Sequence, residues 1–331
     1  MAGTRSNARR RLARLAGVVL LVAATLVATL ISGGGAPAAA AVSCGGETPP
    51  PKANGAAWVC TFDDEFTSLF LNAHWVAQLT SNSSYTTGLS PYRVCYQKNS
   101  KTIAQSGGVL KLSVVKQAKP FSCTDPSGTF STSYSGGMVS TYKKFSQLYG
   151  RFTVRAQLPN TTVPGLQETL WLWPNNDVKY AATGPKNCEP SGEIDFAEMY
   201  SLYADSNIPF LHYCYDTNYP PSWTTNTNIV TAYPPPNNQP GMNCLMDHSQ
   251  FNIYTVVWEP GRITLSVNGN TCVIDNYHAA NLASPAPFDQ PFFIALTQAL
   301  GIPDKNGPGN AANASTPLPA TMQIDYVRIW S

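Results

Sequence analysis

The stretch Gly150-Arg151-Phe152-Thr153-Val154-Arg155-Ala156-Gln157-Leu158 decides the fold class. Apolar and polar residues alternate along it with period two. An extended chain then carries one apolar and one polar face, the pattern of a half-buried β-strand. Similar segments lie on both sides. Val109-Leu110-Lys111-Leu112-Ser113-Val114-Val115 comes before it; Ile253-Tyr254-Thr255-Val256-Val257-Trp258 and Ile263-Thr264-Leu265-Ser266-Val267 come after. Glu259-Pro260-Gly261-Arg262 between the last two is a turn signal, and Asn268-Gly269 begins another. Gln323-Ile324-Asp325-Tyr326-Val327-Arg328-Ile329-Trp330 closes the chain as a strand. The Pro-rich runs Tyr219-Pro220-Pro221 and Tyr233-Pro234-Pro235-Pro236 read as surface loops. Strands joined by short turns, with no long amphipathic helix, predict an all-β sandwich.

Composition agrees with that class. The 331 residues are 43% hydrophobic and 11% aromatic but only 12% charged, so a core can form and a disordered chain is excluded. There is no internal repeat and no interdomain linker. Residues 1–41 are set apart from the fold. Arg5, Arg9, Arg10, Arg11 and Arg14 form a basic start, Leu15 to Ile31 is an apolar run, and Ala39-Ala40-Ala41 ends a small-residue stretch. This reads as a cleaved secretory signal, with an uncleaved anchor as the alternative and the Sec or twin-arginine route left open. A single domain is expected over 42–331, exported by a bacterium, extracellular, monomeric and without stable membrane association once the signal is gone. Without those five arginines, 16 basic face 19 acidic residues, a net charge of −3. No basic stripe remains, so nucleic acid is not a partner.

Cysteines stand at 44, 60, 95, 123, 188, 214, 244 and 272. No CxxC pair is present and four histidines lack ligand spacing, so disulfides are favoured over zinc. Local loop closure suggests Cys44–Cys60, Cys95–Cys123 and Cys214–Cys244, leaving Cys188 for Cys272.

The chemistry is concentrated in Gly192-Glu193-Ile194-Asp195-Phe196-Ala197-Glu198. On a regular strand Glu193 and Asp195 share a face, while Glu198 points away. A one-residue bulge between Asp195 and Glu198 would bring all three together. Crowded, buried carboxyls have their pKa values pushed apart, which is what acid/base work on a glycosidic bond requires. A solvated strand edge or a calcium site is the alternative for the same residues.

The segment resembles the E-x-D-x-x-E signature of glycoside hydrolase family 16, in its laminarinase-like, bulged form. Further blocks are similar in family order over about residues 58–331: Phe62-Asp63-Asp64-Glu65-Phe66; Gly137-Met138-Val139-Ser140-Thr141 with Tyr149-Gly150-Arg151-Phe152 and Arg155-Ala156-Gln157-Leu158-Pro159; Gly165-Leu166 to Trp171-Leu172-Trp173-Pro174; Trp258-Glu259-Pro260 to Val267-Asn268-Gly269; and Ile324-Asp325-Tyr326-Val327-Arg328-Ile329. The resemblance implies a β-jelly-roll sandwich of the concanavalin A-like kind with a concave cleft. It also implies endo-acting, retaining cleavage of β-1,3 or mixed β-1,3-1,4 linkages in a β-glucan. Glu193 would be the nucleophile, Glu198 the acid/base, and Asp195 the neighbour tuning the nucleophile's charge. Trp171 is expected to stack on a sugar, with Arg151, Gln298 and His212 as further substrate contacts; His248 is a weaker candidate, and Trp173 and Trp258 are expected in the core. No cofactor is required for catalysis, but a structural calcium is expected at Asp325, since such ions take oxygen ligands.

Three departures bear on substrate. Gln167-Glu168-Thr169 stands where the family often has W-P-A, so a stacking platform is lost and an acid gained. Asn252 replaces a histidine, and Thr297-Gln298-Ala299-Leu300-Gly301-Ile302 replaces Asn-Leu-Ala-Val-Gly-Gly. Transglycosylation, a galactan substrate, or a non-catalytic carbohydrate-binding jelly roll are the alternative functions.

Overall fold

The strand that decides the class runs from Gly150 to Gln157 in a computed structural model of the chain. The structure describes residues 43–182, 189–214, 216, 229–231 (backbone only), 244–303 and 309–331. The expected signal segment, Cys188 and both Pro-rich runs lie outside the described residues. Phe152, Val154 and Ala156 are fully buried in the core, while Arg151, Arg155 and Gln157 lie on the opposite face, as the alternation requires. The strand pairs antiparallel with Phe251–Glu259 on one side and Ala320–Trp330 on the other. It therefore sits inside an eleven-stranded sheet that ends at Asn270–Asp275 and at Thr86–Thr87.

Both predicted turns close hairpins. Glu259 pairs with Arg262 around Gly261, whose φ is +76°. Asn268 and Gly269, at φ +50° and +80°, join Arg262–Val267 to Asn270–Asp275. Two adjacent positive φ values are what a tight hairpin turn of primed type needs, and Asn-Gly supplies them cheaply. The expected strand at Val109 is longer than its apolar part. It continues to Asp125 because the polar run after Lys116 pairs with Gly128–Gly136.

A second, seven-stranded sheet has the order Ile229–Thr231, Phe210–His212, Glu193–Tyr200, Leu166–Pro174, Phe292–Leu300, Met138–Ser140, Val76–Ala77. One hydrophobic cluster joins the two sheets, with Leu110, Phe152, Val154 and Trp258 from one meeting Val139, Leu170, Leu172, Ile194 and Phe196 from the other. This is the expected jelly-roll sandwich, and the described residues fall in one unit. No helix among them is long and apolar enough to cross a membrane.

Cys44–Cys60 and Cys95–Cys123 pair as expected. Cys244 pairs with Cys272 rather than with Cys214. Loop length is a poor guide here. The hairpin strand Asn270–Asp275 carries Cys272 to a Cα–Cα distance of 4.9 Å from Cys244, across 28 positions of sequence. Because Cys244 takes Cys272, the expected Cys188–Cys272 pair is overturned as well; Cys214 is also disulfide-bonded, and Cys188 itself lies outside the described residues.

Candidate active site

The site is built on the Glu193–Tyr200 strand, the third in the order of the seven-stranded sheet. Leu170 of the adjacent strand pairs with Ala197, and Trp171 pairs with Asp195, so Phe196 is the extra residue of a β-bulge. Phe196 and Ala197 are both fully buried in the core although they are consecutive. Ile194 and Met199 also face inward. The bulge thus resets the alternation, and Glu193, Asp195, Glu198 and Tyr200 all face outward. The register places Glu193 opposite His212 and Asp195 opposite Phe210 on one flank. On the other, Glu198 lies opposite Thr169 and Tyr200 opposite Gln167.

The three acids have unlike surroundings. Burial, and next the charge of Asp195, push the Glu193 carboxyl well above the usual range, with His212 opposing. Asp195 is likewise raised well above its ordinary value by burial and then by Glu198. Its carboxylate meets His212 Nε2 at 3.1 Å. Glu198 is raised by burial, but it is held back by a hydrogen bond from Tyr200, by His212 and by Gln167. The Gln167 amide donates to Glu198 Oε1. Carboxyls this close do not all ionise together, so the trio shares protons as one coupled unit. Chemically, it can present an attacking carboxylate and a proton donor to one bound molecule.

Aromatic side chains floor the same face. Trp171 donates from Nε1 to Thr297 Oγ1 at 3.0 Å and is only 8% exposed. The ring of Tyr85 lies against it, with centroids 6.0 Å apart and planes 24° from parallel. Trp173 packs edge-on at 5.9 Å, on the outward face rather than in the expected core position. Trp258 is fully buried. His212 reaches the acids, but as the partner of Asp195. His248 instead meets Asp205 at 2.7 Å.

Three expected site residues are not brought to the acids. Gln298 is fully buried and faces inward, where its Nε2 donates to Glu168 Oε1 at 2.6 Å. The strand Phe292–Leu300 alternates, and Ile294 and Leu296 of the same parity are core residues. Arg151 belongs to the other sheet and faces away from its core. It sits beside Glu47, at 3.9 Å, and over the ring of Trp330. Asp325 forms an ion pair with Arg155 at a bulge of the closing strand. A guanidinium already neutralises that carboxylate, and it groups with no other potential side-chain ligand among the described residues. The side chains around Asp325 therefore fit a calcium ion poorly.

Three further residues surround the trio. Tyr200 follows Glu198 by two and so shares its face, a signal the strand period contains. Gln167 stands where a stacking ring is lost, and its position gives no hint of the bond to Glu198. Tyr85 comes from a distant loop. Its phenol is raised well above the usual value by burial first, then by Tyr96 and the charges of Glu193, Asp195 and Glu198.

The sequence pattern of glycosyl hydrolases family 16 matches residues 90–328. The chain belongs to that family. It is similar to a glucan endo-1,3-beta-glucosidase A1 of Niallia circulans, 30% identical over 242 residues that cover 71% of this chain and 31% of that protein. It is also similar to a keratan-sulfate endo-1,4-beta-galactosidase of Sphingobacterium multivorum, 28% identical over 197 residues, 60% of this chain and 40% of that protein. The chain thus spans about a third to a half of the length of the curated relatives it matches. The fold is shared with the endo-beta-1,3-glucanase from Pyrococcus furiosus, with a TM-score of 0.60 and 24% identity over 86% of this chain and 98% of that one.

Proposed function

We propose that this member of family 16 is a retaining endo-β-glucanase that acts on β-1,3 or mixed β-1,3-1,4 linkages. The observation that carries the reading is the bulge at Phe196, which turns Glu193, Asp195 and Glu198 onto one outward face. In a retaining mechanism one carboxylate attacks while a second carboxyl, on a site about 5–5.5 Å away, protonates the leaving oxygen.

The Glu193 carboxylate attacks the anomeric carbon. The bond to the leaving sugar breaks as the Glu198 proton passes to the glycosidic oxygen, and a glycosyl ester on Glu193 remains. Glu198, now a carboxylate, takes a proton from water. The water oxygen attacks the same carbon, and Glu193 leaves as a carboxylate. Asp195, held by His212, shares the protons of the trio, and the charge it carries raises the proton affinity of Glu193 when no sugar is bound. Nucleophile and proton donor are both side chains, so the reaction needs no cofactor.

The glucanase relatives support a β-glucan substrate, and the galactosidase relative keeps a galactan as the second reading. Export is supported by the three described disulfides, since such bonds persist in oxidising compartments.

The roles of the two glutamates are tested with azide and an activated aryl glycoside. Such a substrate needs little protonation, so Glu198→Ala should form the glycosyl enzyme and stall. Azide needs no base, and it should restore turnover and yield a β-glycosyl azide. Glu193→Ala with azide should yield the α-azide, by direct attack from the vacated face. The opposite stereochemistries would reverse the assignment, and full activity of both variants on the polysaccharide would remove the site from this face.

A further inference from the structure

The bulge at Phe196 interrupts more than the alternation of side chains. On the flank of Phe210–His212 the ladder stops at Asp195, opposite Phe210. Pairing resumes at Met199, opposite Asn207. Between these points no residue of the neighbouring strand is paired with Phe196, Ala197 or Glu198 on this flank. A bulge leaves backbone groups unpaired in this way, and buried peptide groups need partners. One side chain supplies them. Asn207 Oδ1 accepts the Glu198 N–H at 2.9 Å, and Asn207 Nδ2 donates to the Phe196 carbonyl at 3.2 Å. A carboxamide carries a donor and an acceptor in one plane, as a peptide group does. The buried Asn207 amide therefore stands in for the peptide that the neighbouring strand lacks. Its orientation is set by its partners, because an N–H can only donate and a carbonyl can only accept.

Asn207 is itself held from behind. Its N–H donates to the Cys244 carbonyl at 2.9 Å, and the Met246 N–H donates to the Asp205 carbonyl at 3.0 Å. Cys244 is tied by its disulfide to Cys272 in the other sheet. On the near side, the Ile208 N–H donates to the Glu198 carbonyl at 2.8 Å. The amide is thus fastened to the sandwich. Gln167 and Tyr200 hold only the tip of the Glu198 side chain. Asn207 holds the backbone from which that side chain springs. Glu193 lies in the regular ladder opposite His212 and touches no part of this amide. We propose that Asn207 is a positioning residue of the reaction: its amide clamps the bulge, and the clamp sets the point from which Glu198 gives and takes its proton. This rests on the retaining-glucanase reading above. The leverage is large, because a displacement of about 1 Å at a reacting group can cost about 100-fold in rate.

The test compares three variants on β-1,3-gluco-oligosaccharides and on an activated aryl glycoside. Asn207→Leu keeps the volume and removes both hydrogen bonds. Asn207→Ser leaves a hydroxyl that can serve one of the two backbone groups. Thr153→Ala is a destabilising control, a buried residue of the other sheet bonded to Thr255. Cleavage of the oligosaccharides needs the Glu198 proton, so Asn207→Leu should lower their kcat/KM by about 10- to 100-fold. The aryl glycoside needs little protonation and should lose less than about threefold. Asn207→Ser should fall between wild type and Asn207→Leu on the oligosaccharides, and it carries the same comparison if Asn207→Leu does not fold. Thr153→Ala should leave the ratio of the two substrates unchanged. The decisive arm is a double variant. In Glu198→Ala with azide, adding Asn207→Leu should change the rate of β-glycosyl azide formation by less than about threefold, because the group it positions is already gone. Equal losses on both substrates, the same selective loss in Thr153→Ala, or a further tenfold loss in the double variant would overturn the clamp. If Glu198→Ala alone gives no β-azide, the reaction assignment falls; if it does and the Asn207 variants depart from this pattern, only this inference falls.

Discussion

Glu168 and Glu198 belong to adjacent strands of one sheet and face opposite ways. Glu168, 2% exposed, points into the sandwich, where Gln298 is its hydrogen-bonding partner. Glu198 points outward with Glu193 and Asp195. Burial raises the carboxyl in both places, and it pushes Glu168 up to about 8. What differs is the company. Glu168 accepts a hydrogen bond from the Gln298 amide, whose own carbonyl oxygen is buried without a partner. Glu198 faces two other acids, two donors and the outward side of the sheet. A raised carboxyl is therefore no mark of catalysis by itself. It needs a second carboxyl and a path for substrate. Asp275, fully buried in the other sheet against the Tyr213 hydroxyl at 3.0 Å and pushed up to about 7, makes the same point.

The largest test of this contrast is activity. Replacing the outward Glu198 by Ala should cost about 10²–10⁴-fold in turnover of the polysaccharide. Glu193→Ala should cost more, because the nucleophile itself is lost. Glu168→Gln should stay within about threefold of wild type, as expected when no transition-state contact is removed. If Glu168→Gln were inactive while still folded by circular dichroism, the two faces would not be separable.

A smaller effect concerns Asp195. Its charge is the leading neighbouring influence that raises Glu193. Asp195→Asn should lower the Glu193 pKa and move the acid limb of kcat/KM to lower pH, with a loss at the optimum of about 10- to 100-fold. An acid limb that stayed in place would mean that Asp195 does not tune the nucleophile.

The inward acids should show themselves in stability. Glu168 binds its proton up to about pH 8 in the folded chain, but only to about 4.5 when unfolded. The native state thus holds more protons between these limits. The contribution is complete below the unfolded value and is lost as pH rises through the folded one. Wild-type melting temperature should fall from pH 5 to pH 8. The fall should be shallower in Glu168→Gln, whose amide can pair with Gln298 at every pH, and shallower again with Asp275→Asn. Parallel pH profiles for all three proteins would contradict the buried protons. The smallest expected effect belongs to Arg151. Arg151→Ala should leave KM within about twofold and lower stability by less than about 1 kcal/mol, as for other partly exposed ion pairs; a large rise in KM would return this residue to the substrate.

Local rules suffice wherever a feature depends on residue type at fixed spacing, and much of the molecule is legible in the amino-acid sequence for that reason. The alternation from Gly150 to Gln157 determines a strand and its buried side. Asn268-Gly269 determines a hairpin turn through positive φ. The spacing of Glu193, Asp195 and Glu198 requires a bulge if the three are to act together, and Phe196 is that bulge. What only the tertiary structure decides is which sheet a strand joins and which of its faces meets the cleft. An alternating strand reads alike in either sheet. Arg151, expected at the substrate, therefore lies on the outward face of the other sheet, and Gln298, expected in the cleft, lies between the sheets. The pairing of Cys244 with Cys272 and the approach of Gln167 to Glu198 belong to the same class. Each depends on strand register and on how two sheets stack, and these are set by burial summed over the whole domain, which no local spacing encodes.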